Sequence, residues 1–447
     1  MHPKSRQRTL ATAAVAAVAA LLAVAAPASA KPLPAKPAPA TVDSLGPNFY
    51  WGVAAAGFQN EGHTPDSNWR RYVESHKDYD RPGEMVDFYD RYLEDIDLAK
   101  GLGLNVYRLS VEWARVQPKP GVWDEDGFAF YDKVIAAIRA AGMRPMLTLD
   151  HMVYPGWEAD RGGWAGKDFA SDWLTNMRKV VDRYASADPL WVTINEPIAY
   201  VQHEVKNGGL SLLNVPTMQN KMADVHNSIY DYIHSVSPGA MVTSNVAFVA
   251  GVDSLVNGSL LTKIRNKLDY VGIDYYYGLS PDTVLQYSAL INSAFWDMPV
   301  QADGIYYALR RFSKEFPGKP LYIVENGLPT KNGAVRSDKY GRADNLRDTV
   351  YWLQRAKADG MNIIGYNYWS LTDNYEWGSF SPRFGLYTID GLTDPTLTRR
   401  PTDAVDAYRA ITQQGGVPAN YLPTRKPTFC SLVNLIDSCI DPVSLPR

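Results

Sequence analysis

Only two cysteines occur among 447 residues, too few for a disulfide framework or a thiolate metal cluster to carry the fold. Charge of one sign is also missing. Lys and Arg total 45 against 48 Asp and Glu, a formal net charge of −3, and no block of five or six basic residues supplies the electrostatic footprint of a nucleic-acid binder. Neither G-x-G-x-x-G nor G-x-x-x-x-G-K-[ST] follows any strand-like run, so dinucleotide and nucleotide phosphates have no cradle. The seven histidines form no H-E-x-x-H or comparable cluster, which disfavours a metal-dependent hydrolase. No metal or cofactor is implied. After residue 30 no segment reaches eighteen apolar residues, the length a spanning helix needs.

What is present is a globular composition. With 46% apolar and 21% charged residues, 33 Gly and 30 Pro, the chain can bury a large core and is neither collagen-like nor coiled-coil. Length alone leaves one to three domains open. The rings number 28 Tyr and 12 Trp against 13 Phe, a bias toward rings that join an apolar face to a hydrogen-bonding group. That suits a sugar cleft and ordinary packing alike.

Both ends read as lying outside the fold. A basic start (Lys4, Arg6, Arg8), an Ala/Val/Leu run from Leu10 to Ala26 and the small-residue site Ala28-Ser29-Ala30 predict a cleavable secretory signal over residues 1–30, hence export and no membrane attachment after its removal. The Pro/Ala-rich residues 31–44 predict a linker. Cys430 and Cys439, nine apart in a C-terminal tail of residues 413–447, predict a disulfide, since an exported pair without further Cys or His ligands favours one.

Between 45 and 412 the pattern alternates. Eight β-rich runs, Phe49–Ala56, Val106–Trp113, Arg144–His151, Leu190–Pro197, Met241–Phe248, Tyr270–Tyr277, Leu321–Gly327 and Ile363–Leu371, are separated by amphipathic helical stretches. This predicts an α/β fold, a single eight-stranded parallel β/α (TIM) barrel; a doubly wound open sheet is the alternative. A barrel places its chemistry where strands end. Polar residues sit there: His151, Asn195-Glu196, Asp274, Tyr276, Glu325-Asn326, Trp369 and Glu376-Trp377.

Two of these ends carry glutamates set in apolar strand sequence, WVTINEP and LYIVENG. Desolvation raises the pKa of a carboxyl so placed. If the fourth and seventh strands face each other across the mouth, Glu196 and Glu325 point into one space, and two carboxylates roughly 5–5.5 Å apart are the device of a retaining glycosidase. Either motif alone is weak. Together with FYWGVAAAGFQNEG, NVYRLSVEWARVQP, TLDHMVYPGW, DYVGIDYYY and YWSLTDNYEW…RFGLYTID, they lie in order over residues 48–412, and this series resembles glycoside hydrolase family 1, the β-glucosidase-like retaining glycosidases.

The resemblance implies roles residue by residue. Glu196 would be the acid/base and Glu325 the nucleophile; Arg108 and Tyr276 would orient Glu325; Asn195 would donate to the sugar 2-hydroxyl. Gln59, His151, Glu376 and Trp377 would hold the other glycone hydroxyls, over an apolar floor from Trp369. The partner is then a carbohydrate or glycoside. A transglycosylase or a non-catalytic carbohydrate-binding protein on the same scaffold are the alternatives, and nothing in the sequence fixes the oligomeric state. Three features depart from the family pattern. Met152 stands where a Trp donor follows the His, Asp274 replaces an Asn and is a candidate modulator of the glutamates' pKa, and only 129 residues separate the two glutamates. The shortened segment, mainly around Ala250–Lys267, predicts a wider aglycone side.

Overall fold

The computed structural model describes residues 41–280, 283, 294–433 and 437–445; the expected signal segment and nearly all of the expected linker lie outside the described residues. All eight expected strands form: β1 (Tyr50–Ala54), β2 (Val106–Ser110), β3 (Arg144–Asp150), β4 (Leu190–Ile194), β5 in two pieces (Met241–Thr243 and Val246–Ala247), β6 (Val271–Asp274), β7 (Leu321–Asn326) and β8 (Ile363–Trp369). Strands adjacent in sequence pair in parallel, and β1 also pairs with β8. The pieces of β5 take the two remaining edges, Met241–Thr243 on β4 and Val246–Ala247 on β6. The barrel therefore closes through Ser244 and Asn245, the two polar residues that interrupt β5.

Helices return the chain from one strand to the next, as the periodicity predicts: Phe88–Gly101, Glu125–Ala140, Phe169–Tyr184, Val215–Val236, Gly304–Glu315 and Arg342–Ala358. Their starts have local causes. The Asp124 side chain accepts from the amides of Asp126 and Gly127 ahead of Glu125–Ala140, an N-cap. Pro197 occupies the first turn of Pro197–Asn207, where its missing N–H is not needed. That proline ends the fourth expected run at Ile194, three residues early.

The strands are buried on both faces. Outside, they pack against the helices. Inside, Val106, Met146, Leu190, Val192, Tyr270, Tyr322 and Val324 form a separate cluster. Gly365 makes room for it, because a Cβ there would overlap the Tyr322 ring.

One irregularity aims a functional side chain. Leu321 and Ile323 of β7 pack in the outer cluster and Tyr322 and Val324 in the inner one, so strict alternation would send Glu325 outward. Between Ile323 and Glu325, β7 takes two steps while β6 takes one, from Ile273 to Asp274. A matching slip occurs against β8, where Ile323 to Asn326 spans Tyr366 to Tyr368. One extra residue in β7 is a β-bulge, which turns the strand end and puts Glu325 on the interior side.

The expected linker boundary moves. Val42 is buried and its amide donates to Ala419 O at 3.0 Å, so residues 41–44 belong to the folded body. In the tail the Cys430–Cys439 disulfide is formed, Leu432, Val433 and Val443 are buried, and Arg310 Nη1 meets Asp441 Oδ2 at 3.0 Å.

Candidate active site

The C-terminal ends of the strands converge on one buried polar cluster. Arg108, mid-strand on β2, is wholly buried, and its three nitrogens are all engaged: Nε donates to Thr148 Oγ1 of β3 at 3.0 Å, Nη1 to Glu325 Oε1, and Nη2 to Asn195 Oδ1 at 2.6 Å. A guanidinium can only donate, so this fixes Asn195 with its oxygen toward Arg108 and its amide NH2 turned elsewhere. Glu325 Oε2 accepts from the Tyr276 hydroxyl at 2.7 Å. A cation and a phenol thus hold one carboxylate in place.

Glu196 is placed differently. It follows β4 with φ 41°, in the left-handed region, and is the residue before the Pro197–Asn207 helix. Such backbone costs a non-glycine residue on the order of 1–3 kcal/mol and clusters at functional sites; Met152 (φ 66°) and Trp377 (φ 47°) share it. One carboxylate oxygen from each of Glu196, Glu325 and Asp274 lies within 4.8 Å of the other two. Burial first, then the charge of Glu325, pushes the Glu196 carboxyl up to about 8 despite Arg108. Glu196 is therefore an acid at neutral pH, facing a carboxylate held by a guanidinium.

The remaining expected residues line up beside the pair. Glu376 accepts from Trp369 Nε1 at 2.8 Å and from Gln59 Nε2 at 3.2 Å, and Gln59 Nε2 also donates to Asn374 Oδ1 at 3.2 Å. Burial pushes the Glu376 carboxyl up to about 7. His151 lies nearly parallel to Trp369 (9°, 5.9 Å) and Trp377 (14°, 5.9 Å). Burial, then Arg108, holds its ring well below the ordinary histidine range, so it is neutral. Gln59 Oε1 and His151 Nδ1 are buried without a partner among the described residues, polar atoms of the kind sugar hydroxyls satisfy. Met152, at the expected donor position, is buried and offers none.

Sequence reasoning missed several members. Asn245, in the break of β5, donates from Nδ2 to Asn195 Oδ1 at 2.8 Å and to Asp274 Oδ2; a Ser-Asn pair inside an apolar strand was its signal. Trp69 and His203 back Trp377, with ring centroids at 4.5 and 5.3 Å. Neither lies near a strand end in sequence, so strand-end reasoning could not reach them.

A closed β/α barrel whose mouth sets a guanidinium-held carboxyl group beside an un-ionised one is built for acid-assisted displacement at a sugar carbon, the work of an O-glycoside hydrolase. The family model for "Glycosyl hydrolase family 1" matches residues 42–237 and 251–417, and the chain belongs to that family. Among its relatives, β-glucosidase A of Thermotoga maritima is 25% identical over 433 residues, covering 78% of this chain and 94% of the relative. A chloroplastic galactolipid galactosyltransferase of Arabidopsis thaliana is 28% identical over 380 residues, covering 75% and 59%. In fold, a family 1 β-glucosidase structure from Thermotoga maritima superposes with a TM-score of 0.73 at 22% identity, covering 84% of this chain and all of that one. A β-glycosidase from Pyrococcus horikoshii gives 0.72 at 24%, covering 84% and 96%.

Proposed function

We propose that the protein is a secreted retaining β-glycosidase that removes the terminal sugar of a β-glucoside-like substrate through a covalent glycosyl-enzyme. One observation carries this reading: two glutamates within 4.8 Å in opposite electrostatic settings, Glu325 held by Arg108 and Tyr276 and Glu196 kept protonated by burial. In the first step Glu325 attacks the anomeric carbon while Glu196 protonates the departing oxygen; in the second Glu196 takes a proton from water, whose oxygen displaces Glu325. Asn195 donates to the 2-hydroxyl from the amide that Arg108 and Asn245 orient. Gln59, His151, Glu376 and Trp377 hold the other hydroxyls, and Trp369 supplies the apolar floor. The N-terminal signal pattern supports secretion. A short connection after β5 supports preference for a bulky aglycone or chain end over a small disaccharide.

The relative named as a galactosyltransferase favours one second reading, in which a sugar hydroxyl instead of water resolves the ester. A panel of aryl β-glycosides assayed with wild type and Glu325→Gly tests the main reading. Activity lost in the variant and returned by azide as an α-glycosyl azide is expected. A well-folded wild type that turns over no β-glycoside refutes it and leaves a carbohydrate-binding protein. Transfer products that dominate at high acceptor concentration select the second reading.

A further inference from the structure

Asp274 ends β6 wholly buried, in register with Glu325 of β7. Its hydrogen bonds have a forced polarity. Arg108 can only donate, so Asn195 Oδ1 accepts from it; Asn195 Oδ1 then also accepts from Asn245 Nδ2, and the same Nδ2 donates to Asp274 Oδ2. One oxygen of Asp274 is thereby an acceptor. The other, Oδ1, is buried with no partner among the described residues, in a cluster whose carboxylate oxygens lie within 4.8 Å.

We propose that Asp274 stands between the two glutamates as an un-ionised carboxylic acid, a positioning residue whose Oδ1–H serves whichever of Glu325 and Glu196 carries the negative charge. The proposal rests on the acid/base and nucleophile reading. In the first step the Glu196 proton goes to the leaving oxygen as the bond to Glu325 forms, so the charge moves from Glu325 to Glu196. Water returns it in the second step, when it gives its proton to Glu196 and the ester at Glu325 breaks. A donor beside both glutamates, with one oxygen of each residue within 4.8 Å of the others, can turn toward the charge without transferring its own proton; an ionised Asp274 would repel the charge at both stations. The groups facing it favour the acid form: the charge of Glu325 on β7 opposes the cation Arg108 on β2, while Glu196 after β4 and the Tyr276 hydroxyl are un-ionised at rest, and the charge Glu196 gains during turnover acts in the same direction as that of Glu325. Burial first, then the charge of Glu325, accordingly raises the Asp274 carboxyl well above the ordinary aspartate range, as in enzymes that keep an aspartic acid neutral to donate a hydrogen bond. An asparagine here would donate as well but could never ionise. The acid therefore adds an alkaline cut-off.

Infrared spectra of full-length Glu196→Gln with and without Asp274→Asn test the protonation state without catalysis. The difference should show the carbonyl stretch of an undissociated acid near neutral pH, fading on alkaline titration. In kinetics, the alkaline limb of wild-type kcat/KM should fall about a hundredfold per pH unit as two protons are lost, and that of Asp274→Asn about tenfold. Asp274→Ala, which keeps no donor, should be about tenfold slower than Asp274→Asn. Absence of the acid band overturns the proposal, as do a one-proton wild-type limb and equal rates for the two Asp274 variants. Full turnover by Glu196→Gln would instead remove the acid/base reading beneath it.

Discussion

Replacing Glu325 by glutamine removes the charge that, after burial, does most to keep Glu196 protonated. The size of that effect follows from the geometry. With carboxylate oxygens within 4.8 Å and an effective dielectric of about 20, the repulsion is about 3.5 kcal/mol, equivalent to about 2.5 pH units. Glu196, which titrates at about 8 in the wild type, should therefore titrate at about 5.5 in Glu325→Gln. Burial is untouched by an isosteric amide, so the value stays above that of an exposed glutamate. The freed Arg108 guanidinium pushes in the same downward direction. Because this variant should not turn over, the readout must be direct: side-chain carbon-13 labelling of glutamate, with the Glu196 resonance assigned by its loss in Glu196→Gln/Glu325→Gln. In wild type the same ionisation should set part of the alkaline limb of kcat/KM, since the acid form that protonates the leaving group is lost above it. A Glu196 midpoint that moves by less than about half a unit would mean that burial alone raises it. The two carboxyls would then not sense each other, and the paired mechanism would lose its electrostatic basis.

Stability should fall as pH rises from about 6.5 to about 8.5. Burial raises Glu112 and Glu196 to about 8 and Asp150, Glu204 and Glu376 to about 7, so between the ordinary carboxylate range and these values the folded state binds more protons than the unfolded one, stability falls with pH across that span, and the loss is complete above the folded values. Buried His203 and His226, lowered by burial to about 3 and about 4, act in the opposite sense only below the ordinary histidine range. Thermal unfolding followed by intrinsic fluorescence should thus give a higher Tm at the lower pH, and a Tm that climbs across the interval would contradict the burial of these carboxyls. Asn195→Ala should lower kcat/KM on a β-glucoside by about a hundredfold. On the matching 2-deoxyglucoside the penalty should shrink by about tenfold or more; an equal penalty on both substrates would mean that Asn195 serves only to satisfy Arg108 and Asn245.

The barrel was legible because its strands are short apolar runs spaced by amphipathic segments, a pattern set by burial on both faces. The site was legible where a polar residue ends such a run, as at Glu196, Glu325 and Trp369. What the sequence could not display is the direction of a side chain. Period-2 alternation along LYIVEN sends Glu325 outward, and only the extra residue against both neighbouring strands reverses it. Nor could it show Arg108 binding Glu325, Asn195 and Thr148 together, since these come from four different strands or strand ends, β2, β3, β4 and β7, brought together by closure. Val42 was misplaced in the linker for a related reason: it follows directly on the Pro/Ala-rich run that ends at Ala40, and its partner, Ala419, lies beyond the other end of the barrel sequence.

Both glutamates are aimed by departures from regular backbone, a bulge before Glu325 and a left-handed residue at Glu196. A regular strand end could have carried either residue, but side chains leaving regular strands stand roughly perpendicular to the sheet, and β4 and β7 are separated by β5 and β6 around the ring. Convergence to within 4.8 Å from such positions requires that each side chain be turned toward the axis. The cost, about 1–3 kcal/mol for a left-handed non-glycine residue, is small beside the closed, doubly packed barrel that supports it. The irregularities also shape the hydrogen-bond network: Arg108, Asn195, Asn245 and Asp274 run across β2, β4, β5 and β6 as a chain of hydrogen bonds that ends on Glu325 through Arg108. Asn245 can join that chain only because β5 is broken at the point where the barrel closes. The same discontinuity that looks like a defect in the sheet therefore joins Asn195, beside Glu196, to Asp274, which stands in register with Glu325.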